Sequence, residues 1–400
     1  MNFTRKKKLA KLAFMMNRNT KAPIPVLALL PEIIDCFDAI IRDDELDFLL
    51  RLGNEHHTYE SMRKLSGKVD AVFKPFFERI AAHQIVEHYT YTDGRPDHYE
   101  LNSILVGWFE GALKSVQPMT PERIEFAKRM RKFFAKLEKL NVTPLRQIIN
   151  LKMKFEPSWR TVVALDVPPA PAGGAKKSID LNQKIETPDA KGGIMTPDKV
   201  GYYIDKFSEP DTIALCDCFC RKVFEVNDDP CRYDIPMESC IMLGSRARHI
   251  INAGMGRAIS REECTQVIMD CYAKGAMLNV LYEHSDANAI EAAICLCCPD
   301  CCGSIGSYNR SWLPLSVKAF YQAQANIDNC VGCKLCVKFC PTAAITLAEG
   351  AKKIAFDPAK CIGCGQCAFH CKKDVFNLVA GERMVYLPNR PVAEARFKQP

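Results

Sequence analysis

The sequence predicts an α+β multidomain chain whose second half holds metal, and three observations predict it. The first third alternates helical periodicity with one hairpin signal. Of 21 cysteines, all but Cys36 fall between Cys216 and Cys371. The spacing CxxCxxCxxxC occurs twice near the carboxy end, its copies starting at Cys330 and Cys361.

With 400 residues the chain is long enough for two or three domains. A net charge of +7 is too modest to require a nucleic-acid partner, because much of the excess sits in the opening RKKKLAK stretch. That stretch, within a basic segment over 1–28, is expected to be a solvated or frayed end. No segment approaches the ~18 uninterrupted apolar residues of a membrane span. PIPVLALLP at 23–31 is short and bracketed by prolines, and no secretory signal is evident. A cytoplasmic location is expected, with weak peripheral contact of the basic end to the inner membrane face as the alternative.

Residues 29–166 are read as a helical, winged-helix-like domain. Ile33, Ile34, Phe37 and Ile40 fall on related helical turns, with Leu46, Phe48, Leu49 and Leu50 following. Cys36 lies inside this pattern and reads as a small buried apolar residue. Short and longer helices are expected at about 58–65 and 69–84. IVEHYTY and HYELN then read as strands joined through Thr92-Asp93-Gly94-Arg95. Three helices and a hairpin suit a winged helix. Lys74 and Arg79, with Arg63 and Lys64, make a poor base-reading surface, so protein docking is favoured over DNA. A helix over 121–140 follows. The stretch 167–195, rich in Pro, Gly and Ala, reads as a linker or wrapping arm. Thr196-Pro197 then opens a helix through Phe207, and Ile213–Leu215 reads as a strand leading into the first cysteines.

A disulfide framework suits small secreted chains. This chain is large, so metal thiolates are the better account. The carboxy-terminal runs are Cys330-x2-Cys333-x2-Cys336-x3-Cys340-Pro341 and Cys361-x2-Cys364-x2-Cys367-x3-Cys371. Two-residue gaps let a tight loop converge three thiolates on one compact inorganic core. Gly332, Gly363 and Gly365 supply backbone freedom and leave amides open to the sulfurs. Zinc also accepts four thiolates, but two full runs favour clustered iron.

These runs resemble the bacterial two-[4Fe-4S] ferredoxin family over 326–380. The resemblance implies a dicluster ferredoxin fold in which the fourth cysteine of each run serves the other cluster. One cubane then takes Cys330, Cys333, Cys336 and Cys371, and the other Cys361, Cys364, Cys367 and Cys340. Lys372 departs from the family, where proline commonly follows the second run. Ferredoxins are often acidic, whereas Lys334, Lys338, Lys352, Lys353 and Lys360 here outnumber Asp328, Glu349 and Asp357. An acidic or flavin-bearing redox partner is expected. Residues 381–400 are taken as a tail.

The central module, 196–325, carries Cys216, Cys218, Cys220 and Arg221, then Cys231 and Cys240, then Cys295, Cys297, Cys298, Cys301 and Cys302. Ten thiols exceed the four that an ordinary cubane uses, so one or two additional iron–sulfur clusters, or a larger cofactor, are expected. Cys218, Cys220, Cys231 and Cys240 form one candidate ligand group. Cys297, Cys298, Cys301 and Cys302 form a second, and sets drawn from both remain open. Cys216 and Cys295 are reserves, and zinc or packed free thiols are the bland alternative. Arg221 is open to two roles, a donor to cluster sulfide or a bound anion, or an exterior salt bridge. Ser260 and Glu263 form a capping box for a helix ending near Gly275, on which Cys264 and Cys271 share an apolar face with Val267 and Ile268 and read as core.

With the region before it, this module resembles anaerobic 4Fe-4S dicluster-domain proteins. The matching pieces are Cys218-Phe219-Cys220-Arg221, Cys231, Cys240, Arg257–Glu263 and Ile294–Gly303. The resemblance implies anaerobic redox work without naming a substrate. The expected function is electron relay as a redox protein or oxidoreductase subunit. The alternatives are an enzyme that binds substrate at its central cluster, or a redox-sensing DNA-binding regulator. No Walker A, HExxH or Rossmann glycine signature is present. His56, His57, His88 and His98 show no metal spacing.

Overall fold

The computed structural model describes residues 2–18, 30–90, 94, 96–139, 159–162, 200–207, 212–282, 291–303, 305–310, 319 and 321–380. The expected linker and tail lie outside these residues, as do Thr92, Asp93, Arg95, Thr196 and Pro197. The architecture is α+β.

Helix α1 (Phe3–Arg18) overturns the expectation of a solvated end. Its positions 9, 12, 13 and 16 place Leu9, Leu12, Ala13 and Met16 on one stripe, all fully buried. Part of the basic side is paired as well. Arg5 meets Asp38 at 2.6 Å and also Asp43, while Lys8 meets Asp47 at 2.6 Å. Those acids belong to α2 (Pro31–Ile40) and α3 (Asp43–Leu52), which meet at a bend over Ile41–Arg42. Cys36 is fully buried, and burial raises its thiol pKa far above the ordinary range.

Helices α4 (Tyr59–Ser66) and α5 (Asp70–Ala82) and the antiparallel hairpin of β1 (Val86–Tyr89) and β2 (His98–Leu101) follow in the expected order. A π-helical turn over Ile104–Trp108 leads into α6 (Phe109–Lys114), then α7 (Pro121–Lys139). Trp108 is fully buried and stacks on Phe37 at 3.9 Å between ring centroids, which locks α2 to this turn.

His83, just past α5, is held neutral. Burial first, then the charges of Arg79 and Arg123, lower its pKa to about 4. Its folded pKa lies below the unfolded value near 6.5, so stability is full above pH 6.5 and falls as the pH drops towards 4. Urea unfolding is expected to show a loss of about 2 kcal/mol from this group between pH 7 and pH 5. In His83→Gln that part of the pH dependence should vanish; an unchanged pH profile would refute the assignment.

The central sheet is antiparallel throughout, in the order β3-β7-β8-β5-β4-β6. Its strands are β3 (Trp159–Val162), β4 (Ile213–Asp217), β5 (Glu238–Gly244), β6 (Arg257–Ala258), β7 (Met277–Tyr282) and β8 (Glu291–Cys297). Between them run α8 (Val200–Phe207), α9 (Phe219–Val226), α10 (Ser245–Asn252) and α11 (Arg261–Ala273). The Ser260 hydroxyl accepts from the Glu263 amide at 3.1 Å to cap α11. Cys264 and Cys271 on that helix are fully buried, and burial pushes both thiols up to about 12.

The expected boundaries do not match the packing. Strand β3, placed in the amino-terminal domain, is an edge strand of the central sheet. One hydrophobic core runs without a break from Leu9 through the sheet to Cys364. After α12 (Ile305–Asn309) comes β9 (Tyr321–Ala325), which pairs antiparallel with β12 (Phe376–Ala380). Residues 321–325 thus pair with the final cysteine module instead of the central one. That module also contains α13 (Leu335–Phe339), α14 (Gln366–His370) and the two-residue pair β10 (Ile345–Thr346) and β11 (Ala355–Phe356). Among the described residues no helix is long and apolar enough to cross a membrane.

Candidate metal centres

Each carboxy-terminal cysteine run forms a loop followed by one helical turn and a bit, α13 or α14. Gly332 and Gly363 sit at φ +69° and +76°, where a side chain would strain the loop. At Gly332 a Cβ would also meet the Lys352 carbonyl oxygen at 2.6 Å. Amides turn towards sulfur, with Gly332 N–H donating to Cys330 Sγ at 3.4 Å and Ala344 N–H to Cys340 Sγ at 3.2 Å. Such donors stabilise anionic sulfur and tune a cluster.

The thiols sort by proximity across the two runs. Burial raises Cys336 to about 12, and the thiols close enough to act on it are Cys371, Cys333 and Cys330. Burial also raises Cys367, beside Cys364, Cys361 and Cys340. The donor sets therefore fit two four-thiolate clusters with the fourth ligand exchanged between runs.

In the central module all ten candidate cysteines converge. Antiparallel register aligns Cys216, Cys240 and Cys295 as one rung across β4, β5 and β8. Cys297 lies two residues along β8, on the same face. Cys218 ends the loop after β4, and α9 carries Cys220. Cys216 Sγ donates to the Cys240 carbonyl at 3.3 Å, and the thiols shift one another's protonation in sequence from Cys218 through Cys220, Cys302, Cys297, Cys295 and Cys240 to Cys216. The Gly303 amide donates to Cys220 Sγ at 3.1 Å.

The other three sulfurs form a tight trio. Cys231 Sγ lies 3.4 Å from Cys298 Sγ, which lies 3.1 Å from Cys301 Sγ. All three fall within 4.8 Å of one another. Tetrahedral thiolates on one metal at about 2.3 Å stand roughly 3.8 Å apart, so little opening is needed to admit an ion. Hydrogen bonds from Cys298 and Cys301 lower Cys231 to about 3, while burial raises Cys298 to about 12. The trio thus favours one thiolate, and metal binding would displace the remaining thiol protons. It draws Cys231 away from the first sequence group and joins it to the second, the mixed arrangement that the sequence left open.

Arg221 is not an exterior salt bridge. It is 5% exposed, and its Nη1 donates to the Pro236 carbonyl at 2.6 Å and the Ser239 hydroxyl at 2.7 Å. Its Nε and Nη2 are buried without a hydrogen-bond partner. Arg221 lines a small cavity of about 30 Å³, shared with Cys218, Cys240, Cys297, Cys298 and Cys301. Burial lowers the pKa of Arg221, but the fields of Cys218, Cys298, Cys301 and Cys231 outweigh it and the net shift is upward. Lys114, also buried, is likewise held charged. Burial opposes its charge, and Cys240 and Cys216 favour it. Two buried cations against ten thiols match a site built for anionic sulfur.

Sequence reasoning missed Lys114, which lies 102 positions before Cys216 with no motif around it. It also missed His56, His98 and Glu100, whose ligand atoms lie within 4.8 Å of one another on the partly exposed hairpin side. The two imidazoles stack at 4.0 Å, and His56 Nε2 is 3.0 Å from Glu100.

Residues 329–375 match the model of the 4Fe-4S dicluster domain. This region is therefore an iron–sulfur, ferredoxin-type domain, and it supports a general electron-transfer role. No curated protein and no solved structure matches the chain.

Proposed function

We propose that the chain relays electrons between a redox partner and a thiolate-held metal centre in its central sheet, as a subunit of an anaerobic oxidoreductase system. In this reading Cys330, Cys333, Cys336 and Cys371 hold one [4Fe-4S] cluster, and Cys340, Cys361, Cys364 and Cys367 the other. When bound, these clusters supply one-electron carriers. The chain's own part is to exclude water, hold the sulfurs and set the electrostatic field. The central thiols hold one or two further iron–sulfur centres, with the Cys231 trio as their tightest ligand set. The three-helix and hairpin unit is a winged-helix-like docking element in this reading.

The carrying observation is the buried contact between the dicluster domain and the central module. Tyr272 Oη donates to the Cys364 carbonyl at 2.7 Å, beside a core that contains central cysteines together with Cys364. Protein isolated anaerobically is expected to carry near twelve irons or more, with acid-labile sulfide to match, and an additional EPR signal during redox titration. About eight irons would confine the chemistry to the terminal pair, and zinc without sulfide would overturn the reading.

One observation favours a second reading, in which the central site binds a small anionic substrate. Arg221 lines the thiol-walled cavity and has two buried donors without a hydrogen-bond partner. Substrate-dependent change in the central signal would select it. The regulator reading has less support, because Arg79 is spent on buried Glu45 at 2.6 Å and Arg63 on Glu60 at 2.6 Å.

A further inference from the structure

The two cysteine runs are near copies in sequence, yet the fold treats them in opposite ways. Every residue from Cys361 to Ala368 is buried. In the first run Val331, Cys333 and Lys334 are exposed, Val331 at 63%.

The buried run is latched to the central module by hydrogen bonds that all surround one ligand set. Besides the Tyr272 bond to Cys364, fully buried Gln366 donates to the Tyr272 carbonyl at 3.0 Å and the Ala276 carbonyl at 2.7 Å. Asn309 Nδ2 bridges the Pro299 carbonyl at 2.9 Å and the Pro341 carbonyl at 2.8 Å. Pro299 follows Cys298 of the central trio, and Pro341 follows Cys340. The half held by Cys340, Cys361, Cys364 and Cys367 is therefore the inner one.

Around the outer half the exposed charge is mainly cationic. Lys334 belongs to the bare loop, and Gly332 packs against the Lys352 backbone, so two exposed lysines flank Val331 and Cys333. Asp328 is already engaged by Lys353 at 3.4 Å. Redox encounters use small, salt-sensitive interfaces in which complementary charge sets the association rate.

Accepting the relay reading, on which this step rests, we propose that the Val331–Lys334 loop with Lys352 is the docking face for a small electron carrier with carboxylates around its redox centre. The carrier is oxidised by one electron and the outer half of the dicluster domain is reduced by one. No bond or proton changes hands. The inner half then passes charge to or from the central module.

The test is stopped-flow reduction of the anaerobically loaded full chain by a pre-reduced acidic ferredoxin. At low salt the bimolecular phase should be at least tenfold slower in K334E/K352E than in the wild type, with the gap closing at high salt. Lys128→Glu, on the exposed side of α7, should leave it unchanged, and dithionite should reduce all three proteins alike. Equal rates for K334E/K352E and wild type, or no reaction of wild type with the acidic carrier, would overturn the docking face. A slower unimolecular phase reports the central centre. Its absence, with the bimolecular phase intact, would remove the relay reading and leave the docking face standing.

Discussion

Replacing Cys364 by alanine should remove about four irons and four sulfides per chain and disconnect the central centre from the outer half. Cys364 is 7% exposed and sits at the point where Tyr272 reaches the dicluster domain. That hydrogen bond goes to the backbone carbonyl, so it survives the substitution, and the two modules should stay docked. The expected result is a folded protein whose outer half is still reduced by an external donor at the wild-type rate. Reduction of the central centre should slow by at least tenfold. Iron and sulfide counting with rapid-freeze EPR would check both parts. A full iron complement, or an undiminished rate of central reduction, would contradict the inner placement of this half.

Replacing Arg221 by methionine is expected to lower the midpoint potential of the central centre. A buried cation stabilises the more negative, reduced state. At roughly 6 Å and an effective dielectric of about 20, one unit charge is worth about 3 kcal/mol, on the order of 100 mV for a one-electron couple. Arg221→Lys should recover most of the shift, because it keeps the charge while losing the two-donor fork. The Ser239 hydroxyl and the Pro236 carbonyl lose their donor in the methionine variant, so a modest loss of stability is also expected. Redox titration followed by EPR separates the two effects. An unmoved potential in the methionine variant would mean that the guanidinium does not face the centre.

Local features of this fold are legible in short stretches of sequence. The Ser260 N-cap, the helix over α7 and the apolar positions of Cys36, Cys264 and Cys271 follow from turns of a few residues, where neighbours in sequence are neighbours in space; the Glu263 carboxylate pairs with Arg257 at 2.7 Å instead of closing the expected capping box. The dicluster domain was legible for the same reason: its loop spacing places three sulfurs together before any long-range contact forms. In the amino-terminal helix the dense positive charge masks an apolar stripe. Leu9, Leu12, Ala13 and Met16 carry the stronger signal, and acids on α2 and α3 take up part of the charge.

Motif spacing alone therefore determined that this chain carries a dicluster iron–sulfur domain and a second concentration of thiols. Tertiary structure decided how those thiols mix. Strand register joins Cys216, Cys240 and Cys295 across separations of 24 and 55 positions, and loop closure brings Cys231 to Cys298 across 67. It also decided which of two similar runs is buried, since both have the same internal geometry. Packing against α11, Ala276, Asn309 and Ala319 distinguishes them, and the contacts with α11 and Asn309 span roughly 30 to 90 positions. A short pattern specifies how a loop curls; what covers that loop depends on surfaces encoded far away.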